Sequence, residues 1–308
     1  MSLAIVFPGQ GSQSIGMMKG FADTPLVERT FLEANAILGI DLWTMVREGP
    51  AEALNQTVNT QPVMLVAGVA CWRAWREKGG PMPAWLAGHS LGEYSALVAA
   101  DALRFEDALP LVRLRAQAMQ EAVPEGIGGI AAIIGLDAAK VEEVCREAAR
   151  GQVLEAANLN SPVQVVIAGH REAVERGMAL ARERGAKIAT MLPMSAPSHC
   201  SLMRPAADRL RALLAKTDVS APAAPVIHNR SVESYVEPDR IRAALVEQLD
   251  HPVRWVETVQ YLGHKGVTRV VECGPGKVLT GLSRRIVADI EYIALQDSAT
   301  LAAAAAKA

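Results

Sequence analysis

Gly88-His89-Ser90-Leu91-Gly92 sets a serine between two glycines, a full G-x-S-x-G. An apolar run precedes it, a helical pattern follows it, and small residues flank it, which together suit a nucleophile elbow. Such a turn lifts the Ser90 hydroxyl to the head of a helix, where backbone N–H groups and the dipole favour a developing oxyanion. The inert alternative is a tight strand-to-helix packing turn. A serine nucleophile needs a base. Of the six histidines, His199 lies on a loop just before a helix. His89 adjoins the serine, but neighbours on a tight turn point apart. His170, His228, His251 and His264 read as surface or satisfied core histidines.

Two glycine-rich turns invite a phosphate reading and fail it. In "PGQGSQ", residues 8–13, the next residue is Ser14, where a dinucleotide loop needs its third glycine. In "GPGKVLTG", residues 274–281, Val278 follows Lys277 where a P-loop needs Ser or Thr. The first turn still offers free N–H groups at the carboxyl edge of a sheet. The second reads as a plain strand-to-helix turn. Cys71, Cys145, Cys200 and Cys273 are scattered without a C-x-x-C pair, which argues against a zinc site and a disulfide scaffold.

The elements around these residues alternate. Leu3–Phe7 reads as a buried strand, residues 24–78 as several helices, residues 83–90 as a second strand running into the Ser90 turn, and residues 91–122 as helices. The texture then changes. Residues 127–136 read as a strand, and 137–150 as an amphipathic helix with an Asp137 cap and Gly151 behind it. Residues 153–160 and 163–169 read as two strands, 170–185 as a helix and 186–194 as a strand. That β-α-β-β-α-β order is the ferredoxin-like signature. A helix over 201–216, a strand over 224–229, a helix over 238–250, a strand over 267–274 and a C-terminal helix complete the pattern. The tail "LAAAAAKA" reads as a fraying end or a short helix.

Strands alternating with helices predict a mostly parallel sheet covered on both faces. The expected fold is therefore α/β. A hydrolase-like large domain spans 1–125 and 195–308, and a ferredoxin-like small subdomain spans 126–194. Half of the 308 residues are apolar, enough for a large core, and only 4% are aromatic. The net charge of −2 gives no electrostatic support to a nucleic-acid or membrane role. No run reaches the roughly 18 apolar residues that a bilayer span needs. "MSLAIVFPGQ" lacks the basic region and apolar length of a signal peptide, so a cytoplasmic location is expected.

Six segments in order, "FPGQGSQ", "GHSLGEYSAL", "VRLRAQAMQEAVPEG", "NSPVQVVIAG", "PSHCSLM" and "GPGKVLTGL", carry a resemblance over nearly the whole chain. The chain resembles the malonyl-CoA:acyl carrier protein transacylase family of bacterial fatty acid synthesis. The resemblance implies Ser90 as nucleophile and His199 as base. It implies Arg115 as the group that holds the free malonyl carboxylate, with Arg113 as the near alternative. Residues two apart on a helix face different ways, so only one of the two arginines can enter the site. The resemblance further implies an oxyanion hole from the N–H groups of Gln10 and Leu91, and Gln248 as the residue orienting the histidine. The dyad then needs no acidic third member.

The implied reaction is ping-pong transfer of malonyl from malonyl-CoA to the thiol of an acyl carrier protein. It needs no metal or cofactor and no nucleic-acid or membrane partner, and a monomer is the default. Lys187, Lys277, Arg284 and Arg285 are candidates for a basic rim facing an acidic carrier. Ser198 stands where some relatives have Phe, and Asp101 where they usually have Gly. Three rivals remain. A serine esterase would place an acid between serine and histidine in chain order. An acyl-CoA-binding protein would survive loss of Ser90. The same chemistry could also serve polyketide or malonate-degradation pathways.

Overall fold

The computed structural model describes residues 2–193 and 196–308. Chain order opens with β1 (Leu3–Phe7), then α1 (Pro25–Leu38), α2 (Leu42–Glu48), α3 (Ala51–Asn55) and α4 (Thr57–Glu77). β2 (Trp85–Gly88), α5 (Gly92–Ala99) and α6 (Phe105–Glu121) follow. Next come β3 (Gly128–Ile134), α7 (Ala138–Ala149), β4 (Leu154–Ser161), β5 (Gln164–His170), α8 (Arg171–Glu183) and β6 (Ile188–Met191). The chain closes with α9 (Arg204–Leu214), β7 (Val226–Ile227), α10 (Pro238–Asp250), α11 (Trp255–His264), β8 (Arg269–Glu272), α12 (Val278–Ser283), β9 (Glu291–Ala294) and α13 (Ser298–Ala306).

Two sheets divide these strands. The first has order β7-β2-β1-β8-β9 and every pairing in it is parallel. β1 lies in its centre and is buried on both faces, as an all-apolar run requires. Its alternate residues feed two cores, as the period of a strand dictates. Leu3, Ile5 and Phe7 pack with the apolar faces of α1, α4 and α6. Ala4 and Val6 pack with Trp255, Val259 and Leu279 from α11 and α12. The second sheet, β4-β5-β3-β6, is wholly antiparallel. Helices α7 and α8 cover one of its faces through Val141, Val144, Val174 and Met178. Asp137 caps α7 by accepting from the Lys140 N–H, a contact legible from residue types alone.

A backbone seam stitches the small sheet to the large body. Asn158 bridges Val253 in parallel. The Leu159 N–H donates to the Val253 carbonyl at 2.9 Å, and the Val253 N–H to the Ala157 carbonyl at 2.9 Å. This seam holds β4 beside the carboxyl ends of the parallel strands.

Four features depart from the sequence reading. α11 was not anticipated. The single expected C-terminal helix is instead α12, the edge strand β9, and α13. Asp297 and Thr300 start α13 with reciprocal cap bonds, so the alanine-rich tail is helical. The strand expected over 224–229 shrinks to two residues, and the helix expected over 201–216 begins at Arg204 after a 3-10 turn. An expected strand reaching Met194, and the 194/195 division between bodies, fall outside the described residues. Among the described residues no helix is long and apolar enough to cross a membrane.

Candidate active site

β2 ends at Gly88 and α5 begins at Gly92, so the elbow occupies three residues. Its tightness excludes side chains at both glycines. A Cβ on Gly88 would lie 1.9 Å from the Gly92 carbonyl carbon, and one on Gly92 would lie 2.0 Å from the Phe7 carbonyl oxygen. Ser90 between them takes a left-handed φ of 52°, a conformation that costs a non-glycine residue of order 1 kcal/mol or more. The Glu93 and Tyr94 N–H groups bond back to the carbonyls of Ser90 and Leu91 at 3.1 and 3.0 Å. The serine therefore sits at the head of α5.

The Ser90 Oγ lies 2.7 Å from His199 Nε2. His199 Nδ1 lies 2.7 Å from the Gln248 backbone carbonyl. A carbonyl only accepts, so Nδ1 carries the proton and Nε2 is the acceptor for the serine hydroxyl. Burial pushes the His199 imidazolium down to a pKa of about 3, with the positive charge of Arg115 adding to the effect and the Gln248 carbonyl opposing it. The resting ring is neutral and ready to take a proton. His199 is held at the end of α10, where its N–H donates to the Leu249 carbonyl at 3.0 Å.

Arg115 projects from α6 into the same space and is 1% exposed. Its Nη1 donates to Gln61 Oε1 at 2.6 Å. Its Nη2 donates to Gln248 Oε1 at 3.0 Å and to Ser90 Oγ at 3.2 Å. Among the described residues its acceptors are two amide oxygens and a hydroxyl, none of them a carboxylate. Burial lowers its pKa, partly offset by Tyr94 and by the Glu93 carboxylate. A guanidinium nonetheless keeps its charge, so the site presents a buried cation with no anion in contact. Arg113 faces elsewhere: its Nη1 donates to the Leu38 carbonyl at 2.7 Å on the outer surface.

Gln10 and Leu91 both line the cavity beside Ser90. Their backbone N–H groups have no partner among the described residues, while the Gln10 side chain leans on Thr57 Oγ1 at 3.3 Å. The cavity holds about 140 Å³. The parallel-sheet body contributes Ser90, His199 and Arg115 to its wall, and the small sheet contributes Ile130, Asn158 and Asn160.

The structure thus brings together Ser90, His199, Arg115, Gln10, Leu91 and Gln248. Gln248 does so in two ways, because its backbone oxygen meets His199 while its side chain meets Arg115. His89 points away from the serine, and its Nε2 lies 2.8 Å from Asn160 Oδ1. His228 is buried against Glu93 at 2.7 Å. His170 accepts from the Val153 N–H, and His251 contacts Asp250. The four cysteines are free and buried. No group of three or more His, Cys, Asp or Glu residues able to hold a metal occurs among the described residues.

Sequence reasoning missed Gln61, Glu93 and Asn229. Glu93 had a signal: it is the one acid in the otherwise apolar α5, so it must be buried and partnered. Gln61 and Asn229 had none, because their partners lie 54 and 139 residues away.

The acyl transferase domain family model matches residues 4–300 of the chain. The malonyl CoA-acyl carrier protein transacylase of Salmonella typhimurium is 55% identical over 302 residues, covering 98% of each chain. The solved malonyl CoA-acyl carrier protein transacylase from Coxiella burnetii matches with a TM-score of 0.98 and 50% identity, over 100% of this chain and 98% of that one. A type II PKS acyl-carrier protein in complex with its malonyl-transacylase matches with a TM-score of 0.98 and 50% identity, covering 100% of both chains.

Proposed function

The chain belongs to the acyl transferase domain family, among the malonyl CoA-acyl carrier protein transacylases, and on that premise we propose that it moves malonyl from malonyl-CoA to the phosphopantetheine thiol of an acyl carrier protein. The observation that carries the reading is a buried, carboxylate-free Arg115 within 3.2 Å of the Ser90 hydroxyl. A serine hydrolase for neutral esters has no use for such a cation. A substrate with a free carboxylate two carbons from its thioester carbonyl does.

The Ser90 oxygen attacks the thioester carbonyl while its proton passes to His199 Nε2. The oxyanion accepts from the N–H groups of Gln10 and Leu91, which are preorganised donors beside the serine. The tetrahedral intermediate collapses, the carbon–sulfur bond breaks, and His199 returns its proton to the departing CoA thiolate. The carrier thiol then gives its proton to His199 and attacks the malonyl-serine carbonyl; the carbon–oxygen bond to Ser90 breaks, and His199 returns the proton to the Ser90 oxygen. Throughout, Arg115 holds the malonyl carboxylate with two parallel charge-assisted bonds. An acetyl group would leave the guanidinium unpaired, which disfavours it.

The esterase rival loses support from His199, whose Nδ1 meets a backbone carbonyl and not a carboxylate. The division into a large domain over 1–125 and 195–308 and a small subdomain over 126–194 belongs to this reading. It is supported by β3 to β6, which all fall between Gly128 and Met191. A monomer, a cytoplasmic location and no nucleic-acid partner complete it. Exposed Lys277, Arg284 and Arg285, with Lys187, are proposed as a rim for an acidic carrier.

The test is transfer from malonyl-CoA to holo carrier protein, with hydrolysis measured in parallel. Transfer should outrun hydrolysis at least tenfold on the order expected of water exclusion, and apo carrier should accept nothing. Reversing the charges of Lys277 and Arg284 together should raise the carrier KM. Hydrolysis as fast as transfer would sink the reading, and an unchanged carrier KM would remove the rim.

A further inference from the structure

Asn229 lies two residues beyond β7, where the ladder to β2 has stopped at the Ala87 and Ile227 pair. Its side chain continues the ladder. Nδ2 donates to the Gly88 carbonyl at 2.6 Å, and Oδ1 accepts from the Ser90 N–H at 2.7 Å. One amide thus spans the elbow from the residue before His89 to the serine itself. Its polarity is fixed, since a flipped amide would face oxygen with oxygen and N–H with N–H.

Asn229 is itself clamped. It is 1% exposed. Its N–H donates to Glu93 Oε2 at 2.9 Å, and its carbonyl accepts from the Arg254 N–H at 3.2 Å. The Glu93 carboxylate also accepts from Gln248 Nε2 at 2.8 Å, and the Gln248 carbonyl meets His199. Serine and base are therefore braced by one continuous chain, from the elbow through Asn229, Glu93 and Gln248 to His199. The loop carrying Asn229 is pinned by its own backbone. The His228 N–H bonds to the Glu233 carbonyl, and the Val232 N–H to the His228 carbonyl, each at 2.9 Å. Val232 is held at a φ of 58°, a left-handed backbone that a β-branched residue avoids unless its surroundings impose it.

We propose that Asn229 is a positioning residue for the nucleophile: its amide holds Ser90 in the left-handed conformation and occupies the serine N–H. The Leu91 N–H is then the elbow's one outward donor to the oxyanion. The inference rests on the acyl-transfer reading of Ser90.

Three variants test it: Asn229→Asp, Asn229→Ala and Asn229→Ser. The readout is the rate of single-turnover acylation by malonyl-CoA, with thermal unfolding recorded beside it. At pH 7.5 Asn229→Asp should slow acylation on the order of 100-fold, the loss expected when a reacting group shifts by about an ångström. The malonyl-CoA KM should change little, because Arg115 is untouched. An aspartate presents a carboxylate oxygen to the Gly88 carbonyl, whereas the protonated acid restores one donor and one acceptor. Glu93 contacts the position directly, His228 and Arg254 flank it, and Arg115 and His199 lie beyond Gln248. The neighbouring carboxylate keeps the new acid easier to protonate. The Asn229→Asp deficit should therefore narrow as pH falls from 7.5 to 5, by up to about tenfold per unit, while Asn229→Ala keeps its deficit throughout.

A purely structural asparagine would show no such pH-dependent recovery. Acylation by the folded variants within threefold of wild type, or a fixed Asn229→Asp deficit, would overturn the proposal. If Asn229→Asp does not fold, Asn229→Ser decides. Its hydroxyl can meet only one elbow group, so an intermediate rate supports the proposal and a wild-type rate overturns it. Wild-type protein that forms no malonyl-enzyme would instead refute the acyl-transfer reading itself.

Discussion

Arg115 and His199 illustrate how burial turns ordinary side chains into specific tools. Arg115 is held by neutral acceptors on two sides, so its charge is positioned without being consumed. Replacing it with Ala should cost malonyl transfer about 3 kcal/mol, on the order of 100-fold in kcat/KM. It should also narrow the preference for malonyl over acetyl. Arg113→Ala, on the outer surface, should stay within about twofold. Equal losses at the two positions would contradict the assignment. His199 stays neutral well below the pH range in which a solvent histidine gains its proton. In the proposed mechanism its neutral form is the base, and burial favours that form down to a pKa of about 3. As pH falls from 7 to 5, kcat/KM for acylation should therefore show no loss from His199 protonation. A half-loss centred near 6.5, the ordinary histidine value, would show that the free enzyme's base is solvated. The identities of Ser90, His199 and Arg115 were legible because motif segments carry them. The carboxylate-free surroundings of Arg115 were not, because Gln61 and Gln248 reach it from distant parts of the chain.

Two glycines make the elbow possible by what they lack. Gly92→Ala would drive a Cβ into the Phe7 carbonyl of the central strand. It should destabilise the protein by about 3 kcal/mol, a Tm drop on the order of 5 °C. Gly281→Ala, in α12 with open space around its would-be Cβ, should hold or raise the Tm. Reversal of that order would refute the close-packing account. The strong elements were legible for local reasons. β1 is one apolar run, α7 carries its own cap, and the β3-to-β6 order follows from alternating periods. β9 escaped notice because four residues at a sheet edge give too short a pattern. α11 follows the His251–Arg254 stretch, whose conformation is set by pairing with β4 and not by local preference. Asp101, where the family resemblance leads one to expect Gly, sits at a φ of 56°. A left-handed backbone suits glycine there, and aspartate is among the residues that tolerate it.

Taken together, the two sheets do different work. The parallel sheet aims the carboxyl ends of β1, β2 and β8 at one edge, where the Gln10 turn and the Ser90 elbow meet. The antiparallel sheet, sewn on at Val253, closes the opposite wall and makes a cavity large enough for a small acyl group. That a second body would be inserted was readable from the change of element order. That its β4 edge would dock on the segment between α10 and α11 was not, because the seam consists of backbone bonds with no side-chain signature. The account stands or falls on whether Ser90 carries the acyl group. The decisive measurement is intact-protein mass after brief exposure to malonyl-CoA, for wild type and Ser90→Ala. One malonyl group added to wild type and none to Ser90→Ala is the predicted result. Equal addition to both proteins, or no adduct on either with free CoA accumulating, would contradict it.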